Sequence, residues 1–215
     1  MTYLDAINKV LVRLRETQVS TPTDTDYATL IGAFVNDAKM LVEAAWDWAC
    51  LRTTKTVSAT VGVTSYVLTG SGGDYTFIDA YNDTSDNRLE LITKNRMNTL
   101  VNLQTPPSGP PEYFCFNGLD SNGDQSILVY PTPDGAYSLK FDMVIRGTEL
   151  SATGDTTALP SQPIIMYAWA MATRERGETG GTAAQEIFSL ADRALADAVA
   201  LEASKYQGEI TWRVV

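Results

Sequence analysis

Residues 38–60 read Ala38-Lys-Met-Leu-Val-Glu-Ala-Ala-Trp46-Asp-Trp48-Ala-Cys50-Leu51-Arg-Thr-Thr-Lys-Thr-Val-Ser-Ala-Thr60. Up to Ala49 the apolar side chains recur every three or four positions, the spacing of a helix stripe. After Leu51 the period drops to two and the composition turns to Thr and Val, as in a strand. Upstream, Leu30, Ile31, Phe34, Val35, Ala38, Leu41, Val42, Ala45, Trp46 and Ala49 extend the stripe over about five turns. A polar loop at 20–26 ends in residues suited to an N-cap. Before it, Tyr3, Leu4, Ile7, Val10, Leu11 and Leu14 predict a first helix, opened by Thr2 with Asp5 three residues on.

Downstream of Leu51, LRTTKTVSAT, SYVLT, TFIDAY and RLELI are short and broken by VGVT, GSGGD and NDTSDN, the signature of strands and turns. KNRMNTLVN (94–102) fits one short helix. TPPSGPP (105–111) holds four prolines in seven residues and reads as an ordered crossing loop. EYFCFNG, QSILVYP and AYSLKFDMVIRG then form a second set of strands. Helix returns after Pro160, with Pro163 in its first turn and IIMYAWAMATRERGE behind it. Past the break GETGGT, Thr182 and Gln185 make a capping box, and Ile187, Phe188, Ala191, Leu195, Ala198 and Val199 hold one face. The expected class is α+β: N- and C-terminal helices (1–50 and 161–215) form one helical bundle, and 51–160 is an inserted, mostly antiparallel β lobe.

Composition narrows the chemistry. The 215 residues are 44% hydrophobic and 20% charged, enough apolar content for a sizeable core. Net charge is −10, of which the strand-rich residues 61–160 carry −7, with twelve acidic against five basic side chains. Such a chain is a poor binder of nucleic-acid backbones, whose affinity comes from cations on phosphates. Histidine is absent, which removes Ser-His-Asp and Cys-His pairs and His-ligated zinc. Cys50 and Cys115 are too far apart for a CxxC motif. They admit one disulfide, but buried free thiols in a reducing compartment are favoured. The N-terminal stretch carries charge throughout, unlike a signal peptide. No apolar run approaches the roughly 18 residues of a membrane span. The expectation is a soluble protein made in the cytoplasm.

The remaining candidates are weak as chemistry. Asp120, Asn122 and Asp124 match half of a calcium loop, but Gln125 stands where Gly is needed and Pro131 where the bidentate Glu belongs. A polar hairpin loop is the better reading. Gly70, Gly72 and Gly73 lie between strands, without the Lys of a phosphate cradle. The acidic turns leave room for a two-carboxylate glycan hydrolase only on a thin signal. Trp46 falls on the helix stripe and reads as core. Trp48 falls off it and either packs under the first strand or serves an interface. The tail after Tyr206 carries Ile210, Trp212, Val214 and Val215 beyond the helix-breaking Gly208. It either adds a strand to its own sheet or docks on another chain.

Taken in order, the opening YLDAINKVL helix, AKMLVEAAWDW, LRTTKTV, GPPEYF, ILVYPTPDG and the final helices with Arg174-Glu175-Arg176-Gly177-Glu178 resemble the head-to-tail adaptors of tailed bacteriophages, of the tail-tubular or gatekeeper type. The resemblance implies a structural virion protein at the head–tail junction, made in the host cytoplasm and without enzymatic activity or cofactor. It implies a homo-oligomeric ring, typically of twelve copies, beneath the portal protein. The helical part would dock to the portal and the β lobe to the tail nozzle or next tail component. Genomic DNA would pass through the channel at DNA ejection without specific binding, and no membrane is involved. Interface candidates are then Trp48, Tyr206, Ile210, Trp212, Val214 and Val215. The competing classes are a tail-associated carboxylate-dependent glycan hydrolase and a free-standing regulatory binding module. Asp120, Asp124 and Asp134 are assigned to turns, so their single replacement by Asn is expected to leave virion infectivity intact. Lost infectivity with normal folding and neck assembly would reveal a chemical role.

Overall fold

The computed structural model describes residues 1–102, 106–177 and 182–205. The helices, in chain order, are α1 (Tyr3–Arg13), α2 (Asp26–Ala45), α3 (Lys94–Asn102), α4 (Ser161–Arg176) and α5 (Thr182–Ala203). The strands are β1 (Arg52–Ala59), β2 (Ser65–Leu68), β3 (Tyr75–Asn82), β4 (Asn87–Arg88), β5 (Glu90–Leu91), β6 (Tyr113–Leu119), β7 (Gln125–Tyr130) and β8 (Tyr137–Ile145). The class is α+β. The chain divides into two compact units, Met1–Cys50 with Gly147–Val215, and Leu51–Arg146.

In the helical unit both predicted caps form. The Thr2 hydroxyl accepts from Asp5 N at 3.1 Å and the Thr25 hydroxyl from Ala28 N at 3.0 Å, satisfying donors that a helix start leaves orphaned. α4 is apolar around its circumference: Ile164, Ile165, Tyr167, Ala168, Ala170 and Ala172 are all buried. A helix of that composition must be covered on every side, and α4 packs against α1, α2 and α5, while α1 also packs on α2. Gly32 lets the Tyr3 ring lie on α2, since a Cβ there would meet the Tyr3 phenol, with Cζ only 3.1 Å away. α4 stops at Gly177, whose φ of 63° is the left-handed cap. Arg176, in its last turn, reaches back from Nε to the Tyr27 hydroxyl (2.6 Å) and from a terminal nitrogen to Glu16 (2.6 Å).

The strand unit is two four-stranded sheets, ordered β1-β8-β3-β4 and β2-β7-β6-β5. All pairs are antiparallel except β5 with β6. β1 runs against β8 from Arg52↔Val144 to Ala59↔Tyr137. One core joins both sheets: Val57, Ala80, Leu139, Phe141 and Met143 from the first, Leu68, Phe114, Ile127 and Val129 from the second. Phe114 meets Phe141 edge-on at 5.2 Å. On β6 the next residue, Cys115, points the other way and packs with Met97 of α3, so this sheet is covered on both faces.

Three expectations are corrected. RLELI is not one strand: β4 belongs to the first sheet and β5 to the second, and buried Leu89 sits at the crossing. Alternation cannot distinguish one strand from two that change sheets. Trp46 is not core, because α2 ends at Ala45 and Trp46 is extended (φ −159°, ψ 155°). Once the helical phase is lost, Trp46 is 37% exposed and Trp48 takes the buried place at 1%. Cys115 is a buried free thiol as expected, but Cys50 is free and exposed, lying past the helix end that would have turned it inward. The Thr182 side chain, and the break at 178–181, lie outside the described features.

Three turn carboxylates are held by donors. Asp24 accepts from the hydroxyls and N–H groups of Thr21 and Ser20, Asp124 from Gly70 N and Gly72 N, and Asp155 from Ser151 N and Ala152 N. These bonds favour the ionised form and pull all three below the usual carboxylate range. The folded pKa values lie under the unfolded value of about 3.9, so the contribution is complete above that value. It is lost as the pH falls through the depressed folded values. Thermal midpoints should therefore decline below about pH 5, and Asp24→Asn should flatten that decline. An identical acid profile for the variant would remove Asp24 from the account.

Candidate interaction surfaces

α2 presents three faces. Ala28, Ile31, Val35, Ala38 and Val42 are fully buried. A polar stripe of Asn36, Lys39 and Glu43, spaced three and four apart, holds the chain where it re-enters the helical unit. Asn36 exchanges two hydrogen bonds with the backbone of Leu150, both 3.0 Å. Lys39 Nζ donates to Gly147 O at 2.9 Å, and Glu43 accepts from Gly147 N at 3.2 Å. Lys39 and Glu43 also pair at 2.8 Å, each residue only 4% exposed. A Cβ on residue 147 would stand 3.2 Å from both charged ends, so glycine is what lets the backbone enter between them. The sequence offers no signal for this clamp, because a Lys and a Glu four apart on a helix look like an ordinary solvent pair. The third face, with Ala33, Asp37, Met40, Leu41 and Ala44, is exposed.

Of the sequence candidates, Trp48 is buried and its indole N–H donates to Val42 O at 2.7 Å, so its ring is enclosed within the folded chain. Tyr206, Ile210, Trp212, Val214 and Val215 lie outside the described residues. The half calcium loop is a turn: Asp120 accepts from Asn122 N (2.8 Å) and Asp124 N (2.9 Å). The glycines at 70 and 72, both at positive φ, direct their N–H groups at the Asp124 carboxylate, so an acid of the chain occupies those donors. Among the described residues no group of three or more His, Cys, Asp or Glu is placed to hold a metal. Desolvation raises the pKa of both thiols, that of buried Cys115 and that of Cys50, whose residue is exposed but whose sulfur is partly screened from water, the reverse of what a nucleophilic cysteine needs. The displaced carboxyls Asp5, Asp24, Asp124 and Asp155 all move down, whereas a glycosidic general acid is raised. An open cavity of ≈ 350 Å³ on the first sheet, lined by Arg52, Thr53, Thr54, Ile78, Asp142 and Met143, offers one carboxylate. Asp142 there accepts from the Thr54 hydroxyl at 2.5 Å.

The family model described as SU10 adaptor protein matches residues 1–213. The chain belongs to the SU10 adaptor protein family. No curated protein matches it. The match spans both units and makes this a phage head-to-tail adaptor, a structural protein of the virion. No described helix is long and apolar enough to cross a membrane.

For an adaptor the relevant chemistry is surface. The strand unit exposes Val61 and Val63 at the β1–β2 turn, whose Gly62 N donates to Pro133 O at 2.9 Å. The helical unit exposes Met40 and Leu41 on α2 and Leu190 and Leu201 on α5. Beneath the α2 face the clamp holds the helix to the returning chain. Breaking a buried pair by removing one partner leaves an uncompensated charge, at about 3–5 kcal/mol. Lys39→Met and Glu43→Leu should each lose stability of that order in urea denaturation. The double variant should lose clearly less than the sum. Additive losses would mean that the two charges act independently.

Proposed function

We propose that this adaptor forms a homo-oligomeric ring, of twelve copies by the family resemblance, beneath the portal protein, links it to the tail nozzle or next tail component, and lines the channel through which genomic DNA leaves. The family match over residues 1–213 carries the reading. In it, residues 1–50 and 161–215 form a helical bundle facing the portal, and residues 51–160 form the β lobe facing the tail. Two features agree. The chain's net charge of −10 disfavours retention of DNA, since like charges repel phosphates. Helices α2 and α5 of the first unit leave Met40, Leu41, Leu190 and Leu201 outside the core, as an assembling subunit requires. Synthesis in the host cytoplasm, followed by assembly into the neck, belongs to the same proposal.

The tail is the proposed assembly element. Tyr206, Ile210, Trp212, Val214 and Val215 are too apolar to favour water, and burying each large side chain is worth roughly 1.5–3 kcal/mol. A ring repeats that gain at every contact. Deleting residues 209–215 should leave the thermal midpoint unchanged and abolish binding to purified portal assemblies. Unchanged portal binding, whatever the midpoint, would remove the tail from assembly. Cryo-electron microscopy of virion necks would count the copies directly, and a neck without this chain would overturn the proposal.

A further inference from the structure

Asn-Gly occurs twice in the chain, at Asn117-Gly118 inside β6 and at Asn122-Gly123 in the turn that leads to β7. Such a pair is reactive when its backbone is free to turn. The nitrogen of the following residue then attacks the side-chain amide carbon, and glycine, with no side chain, obstructs that approach least. The two pairs differ in this freedom. Asn117 is held: its amide oxygen accepts from Lys94 Nζ, and Gly118 O accepts from Gln125 Nε2 at 2.9 Å. Ring closure there has to draw the amide off Lys94 and pull Gly118 out of the strand. Asn122 is exposed, and among the described residues its side-chain amide has no hydrogen bond. Gly123 N, the attacking atom, is held by a 3.2 Å hydrogen bond to Asp120 O. Gly123 lies at φ 83° with open space where a Cβ would stand, so nothing crowds the ring that would form.

We propose that Asn122 is a site of spontaneous modification, converted to aspartate and isoaspartate in the folded protein while Asn117 is spared. The reaction consumes only water. Gly123 N bonds to Asn122 Cγ, the Cγ–Nδ2 bond breaks, and ammonia leaves with the proton that Gly123 N gives up. The product is a five-membered succinimide. Water then opens it at either carbonyl. Breaking the new bond leaves aspartate at 122. Breaking the original peptide bond leaves isoaspartate, in which the main chain runs through the side chain and is one carbon longer. The extra carbon falls in a loop that has no slack. Asp120 Oδ1 holds both Asn122 N and Asp124 N, at 2.8 and 2.9 Å, and Asp124 in turn holds Gly70 N and Gly72 N. Isoaspartate at 122 breaks that spacing, so the grip of Asp124 on the turn between β2 and β3 loosens as the protein ages.

The test follows purified full-length chain through a long incubation at neutral pH. Fragment-ion mass spectrometry locates the gain of one mass unit, and enzymatic methylation of the isoaspartyl carboxyl counts that product. Isoaspartate should accumulate at Asn122, with Asn117 about tenfold slower or more, because it reacts only through local opening of its strand. In chain unfolded with urea the two positions should react at comparable rates. Asn122→Gln replaces an exposed side chain, and circular dichroism checks that it folds. That variant should keep its thermal midpoint through an incubation in which the wild-type midpoint falls. Absence of the product at Asn122 in the folded chain, or equal amounts at both positions, would overturn the proposal. The same preference for Asn122 in urea would overturn the role of the fold in selecting it. A wild-type midpoint that holds steady while isoaspartate accumulates would overturn the loosening of the turn.

Discussion

A buried ion pair holds together two stretches of chain that the sequence separates widely. Lys39 and Glu43 sit on the second helix, and the backbone they grip is Gly147, where the polypeptide returns from the whole strand unit. Asn36 repeats the device one turn earlier, at Leu150. Taking two charges out of water is costly, and the cost is offset here because each charge has both its partner and a backbone group of opposite polarity. The alternative, an extended segment against a helix face, would leave peptide groups unsatisfied. The clamp therefore sets where the returning chain lies, and α4 follows it into place.

That placement has consequences for the surface. α4 is so uniformly apolar that α1, α2 and α5 are all needed to cover it, and each flanking helix can give it only one side. The other sides of α2 and α5 are exposed, Met40 and Leu41 beside Asp37 on α2, and Leu190 and Leu201 among Glu186, Asp192, Arg193 and Asp197 on α5.

The strand unit follows a different logic. Its two sheets share one core of aromatic and branched residues, and the polar turns are stabilised by their own carboxylates. Asp124 closing on Gly70 and Gly72, and Asp120 closing its own hairpin, are turn chemistry. The acidic character of residues 61–160 is thus largely a surface property, and such a surface shapes the local field more than the fold.

Local patterns carried the fold class. The period change after Leu51, its reversal after Pro160, the caps at Thr2 and Thr25 and the glycine stop at Gly177 depend on near neighbours, so sequence alone determined them. It also carried the family resemblance, which lies in the order of such elements. What it could not decide were matters of partnership across distance. Trp46 and Trp48 exchanged roles because α2 ended at Ala45, four residues before the stripe did. RLELI divided between two sheets because its first residue pairs with Tyr81 across a short hairpin while Leu91 pairs with Phe114, more than twenty residues away. Lys39 and Glu43 became a buried clamp only because Gly147 arrived between them, since the burial of a charge is set by what packs against it and not by its spacing on a helix.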